Sequence, residues 1–142
     1  MKKAILVISS AMLMFSSCKK SDSASCNTDV ASISGSYKIT GAKYKSSSSS
    51  PEIDYLSLLF SDDCERDNVT TLKSDGTYIT VDAGLVCSPS SGSSGTWSLS
   101  GNTITIDSDA STVESFNCTN LVVSNTDINT SGDKLTLTLT KQ

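Results

Sequence analysis

Lys134-Leu135-Thr136-Leu137-Thr138-Leu139-Thr140 alternates apolar and polar side chains without a break. Successive side chains of a strand point to opposite faces, so the three leucines share one face and the three threonines the other. Such a segment has one buried side and one wet side, and it needs a sheet whose inner face is covered. The same period of two recurs upstream in Tyr37 and Ile39, Ile79 and Val81, Trp97 and Leu99, and Ile104 and Ile106.

Turn residues separate these runs. Ser74-Asp75-Gly76 divides Val69–Lys73 from Thr77–Asp82, and Gly101-Asn102 divides Thr96–Ser98 from Thr103–Ile106. With Gly35–Lys45, Thr112–Cys118, Leu121–Asn125 (extendable to Asn129) and Lys134–Thr140 the expected strands number eight. Eight antiparallel strands, each with one face buried and joined by short turns, predict an all-β barrel or sandwich. Closure into a barrel removes the edges that invite aggregation.

One stretch breaks the pattern. The serine run 46–50 leads into Pro51-Glu52-Ile53-Asp54-Tyr55-Leu56-Ser57-Leu58-Leu59-Phe60. Ser50 suits a helix cap and Pro51 the first helical position, and Glu52 and Asp54 suit the positive helix end. Ile53, Leu56, Leu59 and Phe60 fall on one helical face. The spacing predicts one short helix over residues 51–61, plugging an end of the barrel.

The N-terminus carries a different signal. Lys2 and Lys3 precede an uncharged stretch from Ala4 to Phe15, which closes on Ser16-Ser17-Cys18. A basic start, a short apolar run and small residues before a cysteine resemble a bacterial lipoprotein signal. On this reading residues 1–17 are removed, Cys18 is acylated, and the chain is anchored to a membrane by lipid. Residues 18–32 are polar and aperiodic and read as a flexible tether. The domain then begins at residue 33 and runs to 142. Lys19 and Lys20 beside Asp22 do not fit an acidic surface-export signal. The expected location is the cell envelope at the outer membrane, with its periplasmic or surface face left open.

Loss of Lys2 and Lys3 leaves 9 basic against 15 acidic residues, a net charge of −6. Phosphate backbones repel such a chain, so no nucleic-acid partner is expected. Four cysteines remain after Cys18: Cys26, Cys64, Cys87 and Cys118. In an oxidising envelope an even count reads as two disulfides, with three pairings possible. Cys64–Cys87 with Cys26–Cys118 is favoured: the first closes a loop of moderate length, and the second staples the N-terminal segment to a late strand. No two cysteines stand two to four residues apart and histidine is absent, so no metal site is expected.

The ordered landmarks Gly35-Ser36-Tyr37, Cys64-Glu65-Arg66-Asp67, Ser74-Asp75-Gly76-Thr77-Tyr78, Cys87-Ser88-Pro89-Ser90 and Gly95-Thr96-Trp97 through Ile106 resemble the lipocalin-like domain of short Gram-negative envelope lipoproteins. The resembling stretch runs from about Ile33 to Thr140. The resemblance implies an eight-stranded antiparallel up-and-down barrel with Cys64–Cys87 as its internal disulfide. It implies no catalytic residue and no cofactor. Tyr37 stands where lipocalins proper carry tryptophan, so their ligand preferences do not transfer.

The residues themselves also point away from catalysis. Without histidine the usual triad base is missing. The carboxylates Asp62, Asp63, Glu65 and Asp67 around Cys64 read as a solvated acidic loop rather than an acid–base pair or a calcium site. The expected barrel interior is Tyr37 and Ile39, Leu72, Ile79 and Val81, Trp97 and Leu99, Ile104 and Ile106, and Leu135, Leu137 and Leu139. Standing apart, these side chains would line a pocket for a small apolar ligand. Meeting in the middle, they would leave a solid barrel that acts through its loops, residues 46–63 and 107–119, on an envelope protein or glycan partner. The expected function is thus a lipid-anchored binding module, or alternatively a non-enzymatic structural or interaction lipoprotein.

Overall fold

The computed structural model describes residues 26–142. The expected signal segment, Cys18 and the first part of the expected tether lie outside the described residues. Nine strands form one antiparallel sheet: β1 (Gly35–Lys45), β2 (Ile53–Asp54), β3 (Val69–Leu72), β4 (Thr77–Val81), β5 (Ser93–Ser100), β6 (Thr103–Ile106), β7 (Asp109–Phe116), β8 (Asn120–Thr126) and β9 (Lys134–Lys141). From β3 to β9 each strand pairs with its neighbour in sequence, and β1 bonds both β3 and β9, closing the ring. The two-residue β2 hangs on the edge of β1, so the closed wall contains the eight expected strands.

The turns follow from local chemistry. Between β3 and β4, Asp75 Oδ1 accepts from the backbone N–H of Thr77 at 2.9 Å, and Gly76 takes φ +83°, a conformation that costs a side-chain-bearing residue steric strain. Between β6 and β7, Asp107 turns the chain and its carboxylate accepts from Thr96 N–H at 3.0 Å and from the Tyr78 hydroxyl at 2.9 Å.

The expected helix over residues 51–61 is not what forms. β1 pairs with β3 only from Gly35 to Tyr37, which leaves the upper edge of β1 open. Lys43 and Tyr44 recruit Asp54 and Ile53 there as β2. The Tyr55 N–H then donates to Ala42 O at 2.9 Å, and its ring lies 5.0 Å from that of Tyr44. Between β2 and β3 helix is confined to α2 (Leu56–Leu59) and to a further turn, α3 (Asp63–Arg66). Backbone pairing to a free strand edge outweighs the helical spacing, and Ser50 caps no helix.

The opposite end is closed by a turn in a stretch without apolar periodicity. Residues 29–32, the end of the expected tether, enter with Ile33 into α1 (Val30–Ile33), capped by Asp29, whose carboxylate accepts from Ser32 N–H at 2.7 Å. Ile33 is fully buried beneath the barrel among Tyr37, Leu72, Trp97, Phe116 and Leu121. Lys141 donates to Ser32 O at 2.9 Å, with its ammonium 5.8 Å from the Tyr37 and Phe116 ring centroids. Cys26–Cys118 joins this N-terminal segment to the β7–β8 turn, and Cys64–Cys87 joins α3 to the β4–β5 loop. Both expected pairings are present.

Candidate functional site: the barrel interior

Above the buried floor the barrel holds a cavity of about 250 Å³. Its wall is apolar: Tyr37 and Ile39 on β1, Leu72 on β3, Ile104 and Ile106 on β6, Leu121 and Val123 on β8, Leu137 and Leu139 on β9. Cross-strand register explains the grouping. Ile39 stands opposite Leu139, Leu121 opposite Leu139, and Val123 opposite Leu137, so each pair turns to the same face. Thr70, Thr80 and Ser111 add hydroxyls to the wall, and Thr70 and Thr80 satisfy each other at 2.8 Å.

The mouth is formed by Phe60, Glu65, Arg66 and Asn68. The Arg66 guanidinium helps to hold this strap. It donates to Phe60 O through Nε at 3.2 Å and Nη2 at 3.0 Å, and it pairs with Asp63 Oδ1 at 3.2 Å. Asn68 donates to Ser91 Oγ at 2.7 Å, and Leu85 N–H donates to Asp67 Oδ2 at 2.7 Å. With Cys64–Cys87 these bonds tie the strap to the β4–β5 loop. Of the acidic residues around Cys64, Asp63 and Asp67 make local structural bonds, and Glu65 lines the mouth. Among the described residues no group of three or more His, Cys, Asp or Glu side chains is placed to hold a metal ion.

Of the expected interior, Tyr37, Ile39, Leu72, Ile104, Ile106, Leu137 and Leu139 line the cavity. Trp97 points inward but lies in the floor, 4% exposed, with its Nε1 donating to Lys73 O at 2.7 Å. Leu99 packs half-buried against that floor, and Leu135 sits half-buried opposite Tyr44, away from the cavity. Ile79 and Val81 are on the wrong face: they are 40% and 50% exposed. Leu72 turns inward and stands opposite Tyr78, so Tyr78 and Thr80 are the inward residues of β4, and the intervening Ile79 and the following Val81 point to solvent.

Sequence reasoning missed Phe60, Leu121 and Val123, and the polar residues Glu65, Arg66, Asn68, Thr70, Thr80 and Ser111. Leu121-Val122-Val123 reads as an unbroken apolar run, and only its register against Leu139 and Leu137 tells inside from outside.

The titratable side chains Asp133 and Tyr37 have ordinary structural causes for their shifts. Burial opposes the charge on Asp133, but the N–H groups of Thr130, Asn129 and Ile128 and the Tyr44 hydroxyl outweigh it, holding the carboxyl at about 2. Burial pushes the Tyr37 phenol up to about 12. Neither pattern supplies a group poised for proton transfer near neutral pH.

The chain has no significant match among curated proteins or among solved structures. The family model described as a lipocalin-like domain matches residues 33–141, which takes in every strand of the closed wall. A closed up-and-down barrel, a turn sealing one end and an apolar interior open at the other agree with that match, and the chain belongs to the lipocalin-like domain family.

Proposed function

We propose that this chain is a non-enzymatic envelope module, anchored by lipid at Cys18, whose barrel holds one small apolar ligand. The observation that carries the reading is the cavity of about 250 Å³ between Ile39, Ile104, Ile106, Leu137 and Leu139. Its size is just below the roughly 300–1,000 Å³ of ordinary small-molecule pockets. Apolar walls favour transfer of an apolar ligand from water by about 25 cal/mol per Å² removed. The lipoprotein-like pattern ending in Cys18 supports the anchor, and the two disulfides agree with an oxidising compartment.

The test is saturable binding of an apolar fluorescent dye to the oxidised protein. Leu137→Trp or Val123→Trp, which put an indole into the cavity, should abolish binding while the circular-dichroism spectrum persists. Binding that survives both substitutions would overturn the reading.

The loop-presenting alternative is favoured by one observation. Leu58 on α2 and Leu85 and Val86 on the β4–β5 loop are 68%, 62% and 67% exposed beside the mouth. If no dye binds but cross-linking from position 85 captures a discrete envelope partner, that alternative replaces the first.

A further inference from the structure

Successive turns of an up-and-down barrel lie at alternate ends. Residues 46–68, 82–92, 107–109 and 127–133 therefore share the mouth end, and residues 26–34, 73–76, 101–102 and 117–119 the closed end. Apolar exposure is concentrated at the mouth. Ile53, Leu58, Val81, Leu85, Val86 and Ile128 are exposed there, against Val30 alone at the closed end. Charge is concentrated there too. The mouth segments carry eleven carboxylates against the single cation Arg66, and the closed-end segments two against Lys73. Lys43, Lys45 and Lys134 at the adjoining strand ends leave that excess standing.

The apolar side chains are held out rather than left loose. Leu85 N–H donates to Asp67 Oδ2 at 2.7 Å, and Cys87, next to Val86, is bonded to Cys64 on the strap. Grouped apolar side chains fixed in water mark a surface that takes a partner. Charge selects among the occupants. Two mouths face to face would set like charges together, which opposes pairing of two copies. A bilayer would strip water from Asp62 and Asp63, both exposed, and offer anionic lipid in return. A segment with an apolar face flanked by lysine or arginine meets both features at once.

We propose that the mouth rim docks a cationic amphipathic segment of a protein partner, its apolar face on Leu58, Leu85 and Val86 and its cations on the surrounding carboxylates. The proposal gives the loop-presenting reading its class of partner, and it holds whether or not the cavity is filled.

The experiment uses the oxidised protein and two helical peptides of about 14 residues with the same leucine face, one with lysines and one with glutamates on the polar face. Binding is read by fluorescence anisotropy of the labelled peptide. The lysine peptide should bind about tenfold tighter or better. Leu58→Ser, Leu85→Ser and Val86→Ser combined should remove most of that affinity, and Val30→Ser at the closed end should leave it unchanged. Asp62→Asn with Asp63→Asn should weaken binding and flatten its salt dependence. Circular dichroism checks the fold of each variant. Dye binding in the cavity, measured on the triple variant, should persist, so failure of the rim and failure of the ligand site are read separately. Absence of peptide binding, or binding that the three serines leave intact, would overturn the proposal. So would attachment to phosphatidylcholine vesicles, with or without phosphatidylglycerol, or dimer formation in sedimentation, if the same serines abolish it.

Discussion

The Tyr37 hydroxyl donates to the Ile33 carbonyl oxygen at 2.6 Å, and this bond fastens α1 under the barrel. Both residues are almost wholly buried, so Tyr37→Phe leaves a carbonyl without its donor in a dry environment. The expected cost is about 1–3 kcal/mol, read as a lower urea midpoint with an unchanged slope. The same phenol makes the difference pH-dependent. Burial raises Tyr37 from 10.0 to about 12 in the fold, so its contribution is complete below pH 10 and fades between about 10 and 12. Wild type and Tyr37→Phe should therefore converge in stability across that alkaline window. A gap that stays constant to pH 12 would mean that the bond does not carry the difference.

The two disulfides sit at opposite ends and should separate in their effects. Cys26–Cys118 spans 92 residues and Cys64–Cys87 spans 23. Restriction of the unfolded chain by loops of these lengths is worth about 4.6 and about 3.4 kcal/mol respectively. Paired Cys→Ser replacement at 26 and 118 should therefore lower the urea midpoint more than replacement at 64 and 87. Dye binding should show the opposite order, because only Cys64–Cys87 holds the strap carrying Phe60, Glu65 and Arg66 at the cavity mouth. Equal loss of binding in both variants would contradict this division.

The barrel was legible because its pattern is local. Leu135, Leu137 and Leu139 state their face within one strand, and Ser74-Asp75-Gly76 states its hairpin within one turn. What was misread depends on distant partners. Ile79 and Val81 alternate as cleanly as any inward pair, yet the register with Leu72 turns them to solvent. Ile53, Leu56, Leu59 and Phe60 keep helical spacing, but the free upper edge of β1 takes Ile53 as strand and leaves Phe60 to the cavity mouth. Trp97 is inward as expected, but whether an inward residue lines a cavity or fills a floor is decided by α1, whose apolar residue Ile33 carries no periodic signal.

Gly95 stands opposite Tyr78 on the β4–β5 ladder, where the neighbours leave no room for a Cβ. A Cβ placed there would run into Asp107 Oδ1 and approach the Tyr78 ring to 2.8 Å. Gly95→Ala should thus displace the carboxylate that accepts from Thr96 N–H and the Tyr78 hydroxyl. Overpacking of this kind costs about 1–3 kcal/mol. A second readout distinguishes displacement of Asp107 from general loosening. The Asp107 hydrogen bond raises the Tyr78 phenol above its ordinary value, so the variant's Tyr78 titration should move back toward 10.0. An unshifted titration would show that Asp107 keeps its place.

Asp133 gathers the β8–β9 loop around one carboxylate. Oδ1 accepts from Ile128 N–H at 2.7 Å, and Oδ2 accepts from Asn129 N–H at 2.9 Å, Thr130 N–H at 3.0 Å and the Tyr44 hydroxyl at 2.9 Å. All four donors favour the charged form, which holds the carboxyl at about 2 against an ordinary 3.8 despite its burial. A carboxylate lowered in the fold stabilises it above its unfolded value and loses that contribution as pH falls through the folded one. Asp133→Asn keeps the shape but turns a donor toward donors. Its melting temperature should lie well below wild type at pH 6, and the gap should narrow between about pH 4 and pH 2 as wild-type Asp133 takes up its proton. Glu114→Gln offers a contrast on the outer surface, where Lys134 and Ser124 lower the carboxyl but both side chains of the Lys134 pair are more than a third exposed. Solvent and salt screen that pair, so its gap should be small at pH 6 and shrink further in molar salt. The Asp133 gap, set by short buried bonds, should persist in the same salt. A salt-sensitive Asp133 gap would mean that long-range charge, rather than the four hydrogen bonds, sets its pKa.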